Sequence, residues 1–407
     1  MLSRQWCFAL ATLLLAAPVA RAQIDPEKRK LLQFGYNQPL EGKGPIAGYA
    51  YFYWNEPGFL EHTNLTLRLA IAPVYVDSEV GFKGLLGSHT DVAFGLAGGG
   101  FADTFSEIRQ GQYLRSESFT GHGAEGAISV YHLFNPGDQV PLNLIVRGLV
   151  HYSTFSRDDE TAPGFVLPQD RTALSVRTGL RFGGREPLMF PSLALELSVW
   201  YEAQFRNEYG AYGFAGDRAV EASSHLFWGR ALLIYTLPEM KHNFSVNLTL
   251  GTSLDADRFS AYRLGSALPL ASEFPLNLPG YYFQEISARQ FMLISGQYLL
   301  PLDHRRRWNL TAFAATAAVD YLAGHEQPGN WLSGVGGGLV YTAPSGVWQA
   351  SVGYAYGIDA IRSHGRGANS VGFLLQFDLE ARLKQGPLLD PSSVLDRLRG
   401  LERLFGR

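Results

Sequence analysis

The chain of 407 residues contains one cysteine, Cys7. Arg4, the apolar run Phe8 to Ala16 and the small-residue ending Ala20-Arg21-Ala22 surround or follow it. That order of charge, apolar run and A-x-A ending reads as a secretory signal peptide, with cleavage expected after Ala22. The exported chain would then carry no thiol, which excludes a disulfide framework and cysteine chemistry. Beyond the signal, no apolar run approaches the roughly 20 residues of a membrane-spanning helix. Charge is scarce too, at 17% with a net charge of -3; a nucleic-acid binder would normally show a basic surplus. There is no G-x-S-x-G elbow, no H-E-x-x-H pair and no P-loop. Gly121-His-Gly-Ala-Glu-Gly126 fits G-x-G-x-x-G, but Ala127 to Phe134 continues as a strand pattern where a dinucleotide site needs a helix. Sequons at Asn64, Asn243, Asn247 and Asn309 fall at or within expected strands and read as chance matches.

What is abundant is glycine (45) and aromatic residues, with 20 Tyr and 26 Phe. The apolar residues recur at every second position. Leu193, Leu195, Leu197, Val199, Tyr201, Ala203 and Phe205 share one face, against Ser192, Glu196, Ser198 and Glu202 on the other. Trp348, Ala350, Val352, Tyr354, Tyr356 and Ile358 repeat the pattern, as do Phe244-Val246-Leu248-Leu250, Leu174-Val176-Leu180-Phe182 and Val371-Phe373-Leu375-Phe377. Period two is a strand with unlike faces. Strands this long, with aromatics near their ends and Gly, Ser, Arg and Glu on the second face, predict a membrane barrel with an apolar outer band and a polar lumen.

The expected fold class is therefore all-β, a transmembrane antiparallel barrel over 45–380. Candidate strands lie near 45–57, 64–80, 82–101, 121–135, 141–157, 170–184, 192–206, 223–238 and 242–256. Five more lie near 285–302, 308–322, 331–344, 346–360 and 368–379. That makes about 14, or 16 if merged strands are hidden; bacterial single-chain barrels need an even number. Short connections carry turn residues at Asn135-Pro-Gly-Asp, Pro238-Glu-Met-Lys and Ala343-Pro-Ser-Gly. Longer ones lie near 102–120, 158–169, 207–222 and 257–284. Short turns are expected at the periplasmic end and long loops outside. Residues 23–44 read as a short periplasmic segment. Residues 381–407 read as an amphipathic helix started by Asp390 and Pro391, with Val394, Leu395, Leu398, Leu401, Leu404 and Phe405 on one stripe. Either the inner-leaflet interface or the underside of the barrel would suit it.

The longest loop is unusually apolar, reading Phe259-Ser-Ala-Tyr-Arg-Leu-Gly-Ser266 and then Ala271 to Tyr282 with Leu278-Pro-Gly-Tyr-Tyr282. So many apolar groups should not all sit in water. Folding back into the lumen would bury them and carry Arg263 to the inner wall, where a charge needs an acidic partner. Asp320 is the first candidate partner, with Glu202 and Asp378 behind it. The Arg263-Leu264-Gly265 motif, in a long loop before the last five strands, resembles the superfamily of outer-membrane protein-assembly and two-partner-secretion barrels, often described as bacterial surface antigens. The stretch Ser333-Gly-Val-Gly-Gly-Gly-Leu-Val-Tyr-Thr-Ala-Pro344 with Val347 to Ile358 looks like that family's penultimate region, and Ser370-Val-Gly-Phe-Leu-Leu-Gln-Phe377 like its final strand. The resemblance spans about 255–380. This chain has Arg-Leu-Gly where the family usually has Arg-Gly-aromatic, and no periplasmic transport-associated domains are expected ahead of the barrel. The resemblance implies that Arg263 reaches into the lumen and pairs with Asp320.

It also implies insertion or translocation of polypeptide or lipid at the outer membrane, with the bilayer, that substrate and a separate periplasmic protein as partners. No nucleic acid, cofactor, metal or catalytic residue is expected. The alternative is a passive porin-like or structural barrel in which the loop is only a plug. A minor alternative is a barrel-embedded hydrolase drawing on His151, His225 or His325. The glycines from Gly334 to Gly338 either soften the wall, since Gly weakens strands, or fit tight packing against the loop.

Overall fold

The computed structural model describes residues 27–267, 272–305 and 307–384. The signal peptide over 1–22 and the helical stripe beyond Asp390 lie outside the described residues. The wall begins with β1 (Arg29–Pro39), β2 (Ala47–Pro57), β3 (Leu65–Ala72), β4 (Tyr75–Phe82) and β5 (Thr90–Gly99). It continues through β6 (Phe119–Leu133), β7 (Leu142–Arg157), β8 (Arg171–Gly184), β9 (Leu193–Arg206), β10 (Ser223–Thr236) and β11 (Asn243–Leu254). The last five are β12 (Ile286–Pro301), β13 (Trp308–Tyr321), β14 (Trp331–Thr342), β15 (Trp348–Arg362) and β16 (Gly365–Asp378). Each strand pairs antiparallel with the next, and β16 pairs with β1 from Leu31 opposite Asp378 to Pro39 opposite Ser370. The result is a closed 16-stranded antiparallel barrel without a free edge.

Two features separate 16 strands from the expected 14. The segment 23–44 contributes β1 instead of a periplasmic extension. Its outward residues Leu32, Phe34 and Tyr36 alternate with inward Leu31, Gln33 and Gly35, but the run is short and opens on charges. The stretch 64–80, read as one strand, holds the β3–β4 hairpin. Its two-residue turn is Pro73-Val74, which lacks the Gly or Asn that marks such turns in sequence. After β16 comes a short helix, α1 (Leu379–Lys384), whereas the helix expected from Asp390 falls outside the described residues. Asp378 caps it, accepting a hydrogen bond from the Ala381 amide at 2.9 Å.

The predicted faces hold. Along β9, Leu197 and Val199 are exposed at 53% and 60%, while Glu196, Ser198 and Trp200 are buried. Val246, Leu250, Val352, Tyr354 and Phe373 continue the outer apolar surface. A band this extensive marks a surface that meets lipid rather than water. β1 begins and β16 ends at one end of the barrel. There the rings of Trp308, Tyr341, Trp348 and Phe377 follow one another around β13–β16 at 4.7, 5.1 and 6.5 Å, an aromatic girdle of the kind found at a membrane interface. The long connections 100–118, 158–170, 207–222 and 255–285 all lie at the opposite end. Strand length varies: β3 and β4 have 8 residues each, whereas β7 and β12 have 16.

Candidate lumen site

The 255–285 connection is anchored before it enters the barrel. Asp257 accepts hydrogen bonds from the Phe259 and Ser260 amides and pairs with Arg206 at 2.7 Å, both side chains nearly inaccessible. Tyr262 to Leu264 then form a short strand against Ile286 to Ala288. Gly265 follows with φ +152, where a Cβ would collide with the Tyr282 carbonyl; only glycine fits that turn.

Further along, the Phe274 ring packs edge-on against Trp200 and Trp228 at 5.5 and 5.8 Å. Those tryptophans belong to the inner face, because their strand neighbours Val199 and Phe227 are on the exposed one. The Glu273 carbonyl accepts from Arg230 at 2.7 Å, and Arg230 also pairs with buried Glu196. The connection thus reaches the inner wall, as its apolar composition predicts.

Its return limb fits the wall backbone to backbone. Gly280 lies against Gly357, and the Pro279 carbonyl occupies the space a Cβ on Gly334 would need. A Cβ on Gly336 would meet the Phe313 ring. Gly334 and Gly336 therefore serve close packing. Tyr281 and Tyr282 are fully buried. The Tyr282 hydroxyl donates to the Glu41 carbonyl at 2.9 Å. Arg362 lies 3.6 Å above the Tyr282 ring and makes a two-point bond to Glu285 at 2.9 and 3.0 Å, with both side chains almost fully buried.

Arg263 does not pair with Asp320. It donates to the Gln284 carbonyl at 2.8 Å and the Ser106 carbonyl at 3.1 Å, and covers the Phe105 ring at 4.7 Å. Asp320 instead pairs with Arg289 at 2.6 Å, both side chains about half exposed. Period two explains the miss: Val319 and Tyr321 face the loop and are buried, so Asp320 between them turns the other way. The weaker candidates are engaged elsewhere, Glu202 with Arg177 at 2.7 Å and Asp378 as the α1 cap. Leu264 of the same motif is fully buried in the core between loop and wall.

Arg263 belongs to a roof assembled from several connections at the end opposite the start of β1 and the end of β16. Buried Glu107 pairs with Arg258, lies 3.1 Å from Arg109 and 3.3 Å from His325. Glu117 pairs with both Arg109 and Arg218. Beside these ions, Phe105, Phe119, Phe165, Tyr212 and Val220 form one apolar cluster, with Phe259 packed against it. Burial opposes the charge on Glu107, but His325 and Arg258 hold its carboxyl down at about 2. Burial depresses His325, with Glu107 working against the shift. Burial likewise lowers Arg263 to about 10. The His325 Nε2 lies between the two, 2.7 Å from the Arg258 guanidinium and 3.3 Å from the Glu107 carboxylate.

The three histidines considered for hydrolysis are not brought together. His151 lies between Asp103 at 2.9 Å and Glu125 at 3.6 Å, His225 stacks on Tyr201, and His325 is in the roof. Among the described residues no three His, Cys, Asp or Glu side chains gather as metal ligands. The G-x-G-x-x-G string lies within β6, with strand on both sides of each glycine. Sequence reasoning missed Arg362, Glu285, Glu107 and Arg258, since an ion pair between distant strands or loops leaves no local pattern.

No protein-family model matches the chain, and no curated protein matches it. Solved structures do. CdiB from Acinetobacter baumannii aligns with a TM-score of 0.57 at 9% identity, over 86% of this chain and 60% of that one. CdiB from Escherichia coli gives 0.57 at 12% identity, over 86% and 63%. BamA from Haemophilus ducreyi, lacking POTRA domains 1-3, gives 0.52 at 10% identity, over 90% and 77%. The chain spans about three fifths of the length of the CdiB chains it matches. At these identities the likeness is one of fold: the chain has the barrel architecture found in these outer-membrane proteins.

Proposed function

We propose that this chain is an outer-membrane barrel of the protein-assembly and two-partner-secretion type, which inserts or translocates polypeptide at the outer membrane. One observation carries the reading: a single connection, 255–285, is built into the inner wall by glycine contacts and by the buried Arg362–Glu285 clamp. A passive porin needs a lumen left open to water. The fold likeness to CdiB and BamA supports the same reading. On this reading the end where β1 begins and β16 ends faces the periplasm, where a separate protein presents the substrate. The chain acts as a conduit and not as an enzyme, with Arg263 fixing the loop to the roof.

Photocrosslinking tests this in cells. A photoreactive residue replacing Phe274 should give protease-sensitive polypeptide adducts. Absence of adducts together with free small-solute flux through the purified barrel would establish the porin reading instead.

A further inference from the structure

Beneath the loop, the lumen holds a cavity of about 260 Å³. Phe274 and Pro275 line it from above, and Met189 and Phe190 from an unexpected direction. These two belong to the 185–192 turn between β8 and β9, eight strands round the barrel from the β16–β1 closure. The turn nevertheless reaches that closure through three contacts. Glu186 lies 3.6 Å from Arg29, the Gln33 side chain donates to the Pro187 carbonyl at 3.4 Å, and the Met189 amide donates to the Gln376 side chain at 3.1 Å. Gln33 and Gln376 stand opposite each other across the closure and are bonded at 2.8 Å.

Chain reach decides what this does to the mouth. From Leu193, where β9 starts, back to Met189 the backbone covers at most about 14 Å. A glutamine side chain and its hydrogen bond add about 8 Å. Sixteen strands about 4.8 Å apart and tilted about 40° would enclose a circle about 30 Å across. The opposite walls are therefore drawn together at this end, and the turn spans the gap that is left. Lumen-facing Leu31, Ala194, Leu232 and Ile234 at the same end are buried, whereas an open aqueous mouth would wet them.

The span is stiff and its root is free. Gly183, at φ +77, and Gly184, with open space around it, form the β8 root, and glycines give a hinge its freedom. Pro187 and Pro191 stiffen the span. The β9 root is held, since Thr236 donates to the Ser192 carbonyl at 2.8 Å and Asn243 to the Pro191 carbonyl at 3.2 Å. The latches are weak beside the clamp of the loop above. Arg362–Glu285 is a buried two-point ion pair, whereas Glu186 is half exposed and the other two latches join neutral groups. An exposed pair and neutral bonds hold less than a buried ion pair whose loss strands a charge.

We propose that the 185–192 turn is a hinged lid on the mouth where β1 begins, latched across the lumen on the Gln33–Gln376 pair. Its release opens this mouth while the loop above stays seated. The lid acts on whatever crosses the barrel, so it is read apart from any crosslinked substrate.

Thiol access in the detergent-solubilised full chain carrying Cys7→Ala is the test. Ser351→Cys places a thiol in the cavity lining, and Glu239→Cys places one in an exposed turn at the same end. A cationic methanethiosulfonate should modify the first at least roughly tenfold more slowly than the second. Glu186→Ala with Met189→Gly removes one latch and the buried lid side chain. It should speed modification at Ser351→Cys roughly tenfold or more, with 272–285 still protease-resistant. Pro187→Gly with Pro191→Gly, which keeps every carbonyl and every wall residue, should speed it as well. Equal rates at Ser351→Cys and Glu239→Cys under the wild-type lid overturn the proposal. So does an unchanged slow rate in either folded lid variant, or a faster rate that comes only with loss of protease resistance.

Discussion

At the scale of single residues, two ion pairs with the same chemistry have opposite weight. Arg362–Glu285 is buried on both sides, so Arg362→Ala leaves a carboxylate stranded and should cost about 3–5 kcal/mol. Protease should then cut within 272–285, and single-channel conductance should rise. Asp320→Asn removes an exposed pair worth about 0–1 kcal/mol, and conductance should stay at the wild-type level. If Asp320→Asn opens the barrel while Arg362→Ala does not, the clamp has been assigned to the wrong residues.

The roof carries a pH dependence of definite sign. Glu107 sits at about 2 against an ordinary 4.5. Its contribution is therefore complete above about 4.5 and is lost as pH falls toward about 2. His325 is depressed from 6.5, so the unfolded chain takes up a proton first and the roof weakens further below about 6.5. Both effects run the same way. Proteolysis of the 100–118 connection should accelerate on acidification from neutral pH, and in Glu107→Gln the component below about 4.5 should be absent. A roof equally resistant across that range contradicts the argument.

Among elements, the return limb of the long connection shows what glycine is for. Gly280 has φ +84 and lies on the Gly357 backbone, whereas Gly346 has φ +69 with open space around it. Gly280→Ala must meet both backbone strain and a collision; Gly346→Ala meets strain alone. Thermal unfolding in detergent should show the larger loss for Gly280→Ala, together with an opened lumen. Equal losses would mean that the limb is not seated on β15.

Legibility also differs by element. Long strands such as β9 and β15 could be read with their faces, because an outer band in lipid demands strict alternation. The 8-residue strands β3 and β4 merged in the reading, because apolar alternation runs on up to Pro73-Val74. The lumen-seeking loop was legible from its apolar content, but Arg263's partner was not. Nothing in one sequence tells that Ser106 and Phe105, from a different connection, would take the place proposed for Asp320.

For the molecule as a whole, closure and filling come from different parts of the chain. Sixteen paired strands remove every edge, while the interior is occupied from above by the described parts of 255–285 and from below by the 185–192 turn, whose Met189 amide donates to the Gln376 side chain of β16. The whole-molecule architecture followed from alternation and turn spacing; the reach of the 185–192 turn across to β16 did not, since Arg185 to Ser192 reads as an ordinary turn.

The unequal strand lengths have a consequence for the surrounding bilayer. Eight tilted residues raise the wall by only about 20 Å, short of an apolar band of about 25 Å. Leu60, Leu85 and Leu86, exposed at 69%, 56% and 63% in the turns flanking β3 and β4, carry greasy surface past the strand ends on one side. The lipid beside that flank must still compress, at a modest cost for each ångström of mismatch. The barrel therefore sits in a lopsided annulus, thinnest against β3 and β4 and at full depth against β7.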